Sequence, residues 1–157
     1  MKAITAIILA AGAGTRMHSS KQKVLHEICG KSMLEWAFSA CEGNIEEKPV
    51  VIVGYDAQSV RAHGGNRAQY VLQDPNSSIA GAIMQALPLV EKRSGYVFIM
   101  HGNLPLISRE TLGMLLDAAQ GKAASRLVYC EEDEETDRKS TRLNSSHSAK
   151  SRMPSSA

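Results

Sequence analysis

Apolar runs recur along the chain at Ile4 to Leu9, Val50 to Val53, Tyr70 to Gln73 and Tyr96 to Met100, with segments of helical character between them. No other feature limits the possible folds as much. A run that is apolar throughout, rather than at alternate positions, belongs to a strand buried on both faces. Such strands, alternating with helices, form a parallel sheet with helices on both sides. The intervening segments fit this pattern. Met33 to Cys41 puts Leu34, Ala37, Phe38 and Cys41 on one helical face, and Gln58 to Ala62 makes a short helix closed by Gly64-Gly65. Ile79 to Val90 is helical, with Pro88 expected to bend it or end it early. Ser108 suits the N-cap of a helix from Arg109 to Gln120, with Glu110 near its positive end and Gly121 stopping it. Leu127 to Cys130 reads as a fifth strand. The expected fold class is a doubly wound, mainly parallel α/β sheet with helices on both faces. Ligands bind such sheets beyond the carboxyl ends of the strands, so the loops after Leu9, Val53, Gln73 and Met100 should surround one crevice.

A chain of 157 residues with 43% hydrophobic content can build one core of this kind. Its net charge of +2 is unevenly spread. Residues 137–157 hold five Lys or Arg against one acid, which makes that stretch +4 and residues 1–136 mildly acidic. The body therefore gives no reason to expect a nucleic-acid partner. Cys29, Cys41 and Cys130 are odd in number and include no C-x-x-C pair, so a reducing, cytoplasmic setting fits better than a disulfide framework or a zinc site. Lys2 followed by Ala6 to Ala11 resembles a short secretory signal, against the reading of a buried strand. No other segment approaches membrane-spanning length, and no membrane partner is expected.

Residues 137–157 hold seven Ser and scarcely any large apolar side chain, too little to offset the entropy of ordering. The string RKSTRLNSSHSAKSRMPSSA also resembles adapter-derived read-through. The expectation is a disordered, non-native tail after Thr136 and, in residues 1–136, the front part of an incomplete domain.

The chemistry is expected to centre on Leu9 to Met17 (LAAGAGTRM). Gly12 and Gly14 follow a buried strand, where glycine allows a sharp turn and lets backbone N–H groups approach an anion. A dinucleotide fingerprint would want a third glycine where Met17 stands, and a P-loop would want Gly-Lys-Ser/Thr. Instead come Arg16 and, seven residues later, Lys23, two cations suited to the dispersed charge of a triphosphate. Spacing alone leaves two readings open, a phosphate cradle and a tight turn with solvated charges.

LAAGAGTRM followed by KVLHEICGKSM (Lys23 to Met33) resembles the opening signature of the sugar-nucleotide pyrophosphorylases, a nucleotidyltransferase family. Within it the likeness is to the uridylyltransferase domains that make UDP-N-acetylglucosamine. It continues through VVIVGYDAQSV, YVLQ, MQAL and HGNLPLISRETL, over about residues 3–130. The resemblance implies a Rossmann-like nucleotidyltransferase domain. Leu9, Ala10, Ala11, Gly12, Gly14 and Lys23 would bind the nucleotide, and Gln73 would hydrogen-bond the uracil edge. Ser78, Ile79, His101 and Gly102 would complete the nucleotide site. Arg16 and Lys23 would neutralise charge during transfer, with Mg²⁺ as cofactor. The substrates implied are UTP and a sugar 1-phosphate, giving a UDP-sugar and pyrophosphate. No hexapeptide repeat appears, so neither an acetyltransferase domain nor the oligomer it would support is expected.

Two departures from the family pattern stand out. The family has Gly-Asp-x-Pro-Leu where this chain reads Gly102-Asn103-Leu104-Pro105-Leu106, so the metal position falls on Asn103, a neutral amide in place of a carboxylate. The family also has Gly and Thr where Ser78 and Ile79 stand. The first departure suggests a chain that binds nucleotide better than it turns it over, and the second weakens recognition of the base, so that uridine specificity rests mainly on overall similarity. Alternatives are a molybdenum-cofactor guanylyltransferase of the same fold, a catalytically impaired nucleotide-binding fragment, and a dinucleotide-binding oxidoreductase. The last is disfavoured by Met17 and by Gly54-Tyr55 where an acid would be needed. His18, His26, His63, His101 and His147 lack ligand spacing and read as surface or structural residues, with His101 notable beside the Gly102-Asn103 turn. Trp36 reads as core.

Overall fold

The first strand, β1 (Ala3–Ala10), lies inside the sheet, and its Ala6, Ile7, Ile8 and Ala10 are buried because they offer apolar atoms to both faces. The computed structural model describes residues 3–90 and 95–120. After β1 come a hairpin of β2 (Glu27–Ile28) and β3 (Lys31–Ser32), then α1 (Met33–Cys41), β4 (Val50–Val53) and α2 (Ala57–Gly64). The order continues with β5 (Gln69–Leu72), α3 (Ile79–Val90), β6 (Gly95–His101) and α4 (Arg109–Ala119). The main sheet has the order β5-β4-β1-β6 and every pairing in it is parallel. In register, Ile7 lies between Val50 of β4 and Ile99 of β6. The chain divides into two compact units, Met1–Met114 and Leu115–Ala157, and the sheet lies in the first.

Helices cover both faces, as the apolar runs require. On one face Ala82, Ala86 and Val90 of α3 pack on Ile7, Val50 and Ile52. On the other, α1 lies close enough to β6 for the Cys41 Sγ to sit 3.9 Å from Met100 Sδ. The end of α2 joins it there. Arg67 sits over the Phe38 ring at 4.8 Å, and the Tyr70 hydroxyl donates to Gly65 O at 3.0 Å. The start of α1 is fixed by a capping box. Ser32 Oγ accepts the Glu35 N–H at 3.1 Å, and the Glu35 carboxylate accepts the Ser32 N–H at 3.0 Å. Ser108 caps α4 as expected, accepting the Thr111 N–H at 3.1 Å.

Four expectations need correction. Pro88 does not end α3 early, since the helix runs on to Val90; a proline near a helix end removes only one hydrogen bond from the ladder. The third strand is Gln69–Leu72, one residue earlier than the apolar run suggests, and Gln73 is the first residue beyond it. Burial on both faces holds for β4 but not for β6, where Phe98 and Met100 are buried while Val97 and Ile99 are exposed, Ile99 by 51%. Among the described residues β6 pairs only with β1, and α3 packs over β1 and β4 instead. Trp36 is half-buried rather than core, because its Nε1–H donates to Ile28 O at 2.9 Å and its ring carries Lys31 at 5.1 Å. Gly121, the strand at Leu127 to Cys130, Cys130, His147 and the tail at 137–157 lie outside the described residues.

Candidate nucleotide-binding site

The carboxyl ends of the four parallel strands open on a single cavity of about 640 Å³. β1 brings Leu9, Ala10, Ala11 and Gly12 to its wall, β4 brings Gly54 and Tyr55, β5 brings Leu72 and Gln73, and β6 brings His101 and Asn103. Lys23 and Val24 reach the wall from the loop after β1, and Ile79 and Ala82 from the start of α3. The crevice expected from strand order is therefore the one the fold builds.

The turn after β1 has an unusual backbone arrangement. Leu9 O accepts the Gly102 N–H at 2.9 Å, and Ala11 O accepts the Tyr55 N–H at 3.1 Å. Ala10 O and Gly12 O accept from the Gln22 side-chain amide at 2.8 and 3.1 Å. Carbonyl oxygens at a strand end normally find hydrogen-bond donors in solvent or ligand; here those of Leu9, Ala10, Ala11 and Gly12 all find them within the protein. Among the described residues, no protein group accepts a hydrogen bond from the N–H of Gly12, Ala13 or Gly14. Of these residues Gly12 lines the cavity, and its N–H is the donor an anion there would meet.

Glycine is required at two places here. Gly14 has φ of +66°, and a Cβ on it would come 2.8 Å from Lys23 Cβ. The stem of Lys23 thus lies directly against the turn. A Cβ on Gly54 would come 2.9 Å from both the Ala11 Cβ and the Ala11 carbonyl oxygen, so β4 meets the turn at closest approach.

Charge in the wall is one-signed. Lys23 contributes a cation, and among the described residues no Asp or Glu lines the cavity. That arrangement suits a polyanion and disfavours a bare cation. Nor do the described residues anywhere assemble three or more His, Cys, Asp or Glu able to hold a metal. Mg²⁺ takes near-octahedral oxygen coordination, and among the described residues the side-chain oxygens of the wall are neutral, the amides of Gln73 and Asn103 and the hydroxyl of Tyr55. The described residues do not by themselves fit a resident Mg²⁺.

Of the residues expected at the site, Leu9, Ala10, Ala11, Gly12, Lys23, Gln73, Ile79, His101 and Asn103 line the cavity. Four do not. Gly14 stands behind Lys23, and Gly102 is buried beneath the wall with its N–H on Leu9 O. Arg16 is exposed in the 3-10 turn Thr15–Met17. Ser78 caps α3, its Oγ accepting the Gly81 N–H at 3.2 Å. Gln73 is held at both ends, its N–H donating to Val53 O at 2.7 Å and its Nε2 to Ser77 O at 3.0 Å. Tyr55 and Gln22 were not anticipated. Tyr55 follows directly from the rule that strand ends face the ligand; Gln22 has no signal in the sequence, because its burial arises only when two segments meet.

Comparison with known proteins agrees with this geometry. Residues 6–141 match the model of the MobA-like NTP transferase domain. The bifunctional protein GlmU of Enterococcus faecalis is 42% identical over 123 residues, 78% of this chain but 27% of that protein. The chain thus spans little more than a quarter of that relative's length. Among solved structures, Rv0371c of Mycobacterium tuberculosis H37Rv is similar with a TM-score of 0.64 at 23% identity, covering 75% of this chain and 61% of that one. The manganese complex of Rv0371C is similar with a TM-score of 0.62 at 22% identity, covering 75% and 60%. At these identities the structures speak for the fold alone.

Proposed function

The chain belongs to the MobA-like NTP transferase domain family, and from that membership we propose that its cavity holds UTP for transfer of a uridylyl group to N-acetylglucosamine 1-phosphate. The observation that carries this reading is the turn after β1: its carbonyls are tied back into the protein while the N–H of Gly12, on the cavity wall, and the Lys23 side chain remain for phosphate. The likeness to GlmU supports the sugar-nucleotide branch of the family.

In the proposed reaction an oxygen of the sugar phosphate attacks the α-phosphorus of UTP. A new P–O bond forms, the bond from the α-phosphorus to the bridging oxygen breaks, and pyrophosphate leaves with that electron pair. The protein supplies no nucleophile. Its part is in-line positioning and neutralisation of developing charge, which Lys23 and the Gly12 N–H would perform, with Arg16 near the outer phosphates. Gln73, whose amide nitrogen is engaged by Ser77 O, would present its amide oxygen to the N3–H of uracil. Where the family has a hydroxyl, Ile79 presents an apolar side chain, so less of the base is read by hydrogen bonds. A divalent ion would have to arrive with the triphosphate, because the wall lacks a carboxylate. The sugar-binding residues and a second metal ligand would belong to the three quarters of the relative's length that this chain does not match. The setting proposed is cytoplasmic, and among the described residues no helix is long and apolar enough to cross a membrane.

The description of the matching family favours a second reading, a guanylyltransferase of the molybdenum-cofactor type. Thermal unfolding of the 157-residue chain separates the two. At a hundred times its Kd a ligand stabilises by about 2.7 kcal/mol, so UTP should raise Tm by several degrees, GTP by less and NAD not at all. A larger shift with GTP would select the guanylyltransferase, and a shift with NAD alone would end both readings.

A further inference from the structure

Gln22 is the one large polar side chain among the described residues with no exposed surface at all, at 0%. A buried amide is costly unless every hydrogen-bonding group in it is used, and here the use is specific. Nε2 donates to Ala10 O at 2.8 Å and Gly12 O at 3.1 Å, while Oε1 accepts the Val24 N–H at 2.6 Å. The amide has only one sensible orientation, since flipping it would set its oxygen against two carbonyls and its nitrogen against a donor. It joins two segments separated in sequence. One is the turn after β1, and the other is the 3-10 turn Lys23–Leu25 that Gln22 itself caps.

Both segments line the cavity, and both bear on a bound phosphate chain. By holding two carbonyls, Gln22 keeps their negative ends away from the anion. By holding Val24, it sets the backbone that carries Lys23, whose stem already lies against Gly14. We propose that Gln22 is a positioning residue that locks the glycine turn and Lys23 into one frame for the triphosphate without touching it. This rests on the reading of the cavity as a nucleoside triphosphate site.

The frame matters to phosphate and little to base, and that asymmetry gives the test. Gln22→Met keeps the length of the side chain and removes all three hydrogen bonds. Kd values for UTP and for uridine would be measured by calorimetry with the wild-type chain, Gln22→Met, Lys23→Ala and the double variant. Expected are a loss of about tenfold or more for UTP, a change of less than about threefold for uridine, and no further UTP loss when Lys23→Ala is added to Gln22→Met. UTP affinity within threefold of wild type, equal losses for UTP and uridine, or additive effects of the two substitutions would each overturn the proposal. A wild-type chain that binds neither UTP nor GTP removes the nucleotide reading and this role with it, a result distinct from binding that survives Gln22→Met. Should Gln22→Met not fold, hydrogen exchange on the wild-type chain decides. UTP should slow exchange of the Gln22 side-chain amide protons as their two acceptors are held, and unchanged exchange with UTP bound overturns the proposal.

Discussion

At Asn103 the cavity wall carries a neutral amide beside His101, on the strand end where the family pattern has a carboxylate. A carboxylate there would draw a divalent ion by charge as well as by its oxygen lone pairs, whereas the amide offers lone pairs alone. The expected outcome of Asn103→Asp is therefore about a tenfold gain in the Mg²⁺-dependent part of UTP affinity, the scale of a hydrogen-bonded contact acquiring charge. Titration of both chains with UTP, with and without Mg²⁺, gives the ratio, and an unchanged ratio would show that residue 103 does not govern the metal's contribution. Gln73, His101 and Asn103 stand at or just past strand ends and line the cavity, a placement legible in the sequence because strand order aims those loops at one crevice, whereas Lys23 reaches the wall from the 3-10 turn Lys23–Leu25. Arg16 and Ser78 were placed less well. Arg16 follows a turn that leaves it exposed, and Ser78 uses its hydroxyl to cap α3.

At the scale of elements, α1 illustrates how local chemistry and distant packing combine. The capping box of Ser32 and Glu35 is a short-range motif. The structure adds His63 from α2, whose Nε2 lies 2.8 Å from Ser32 Oγ and 3.8 Å from the Glu35 carboxylate, and an ion pair of Glu35 with Arg67 at 3.8 Å. The Ser32 backbone N–H, with lesser help from His63, Arg67 and the Ser32 hydroxyl, holds the Glu35 carboxyl below its ordinary value of 4.5 against the opposing effect of desolvation. A depressed carboxyl pKa stabilises the fold above the unfolded value and loses that contribution as pH falls through the folded value. Stability should then decline below about pH 4.5, and Glu35→Gln should flatten that part of the decline. Urea midpoints measured from pH 6 downward to about pH 3 test this, and parallel curves for the two chains would show that Glu35 plays no part. Helix starts and strand identities were readable because caps and apolar runs act over a few residues; the link from α1 to α2 was not, since Ser32 and His63 are brought together only by the sheet between them in sequence.

For the whole molecule, stability rests on β1, the strand flanked by β4 and β6 and covered by α3. Ile7 has no exposed surface and packs in the cluster with Val50, Ile52, Ala82, Ala86 and Val90. Ile7→Ala should cost about 2–5 kcal/mol, a large share of the roughly 5–15 kcal/mol that holds a typical domain together. Denaturant unfolding would show it as a large fall in midpoint, and a loss under about 1 kcal/mol would mean that the site collapses around the missing atoms. By itself the sequence determined the parallel α/β class, the main strands and helices with the Ser108 cap, and the end of the sheet at which the cavity opens. Those follow from periodicity, glycine turns and strand direction, all of which act locally or by a general rule of topology. Tertiary structure alone decided that β6 is covered on one face, that Trp36 lies half-buried under Lys31, and that Gln22 reaches back to Ala10 and Gly12. A buried polar group takes its meaning from the partners that folding brings to it, and nothing in a run of neighbouring residues names them.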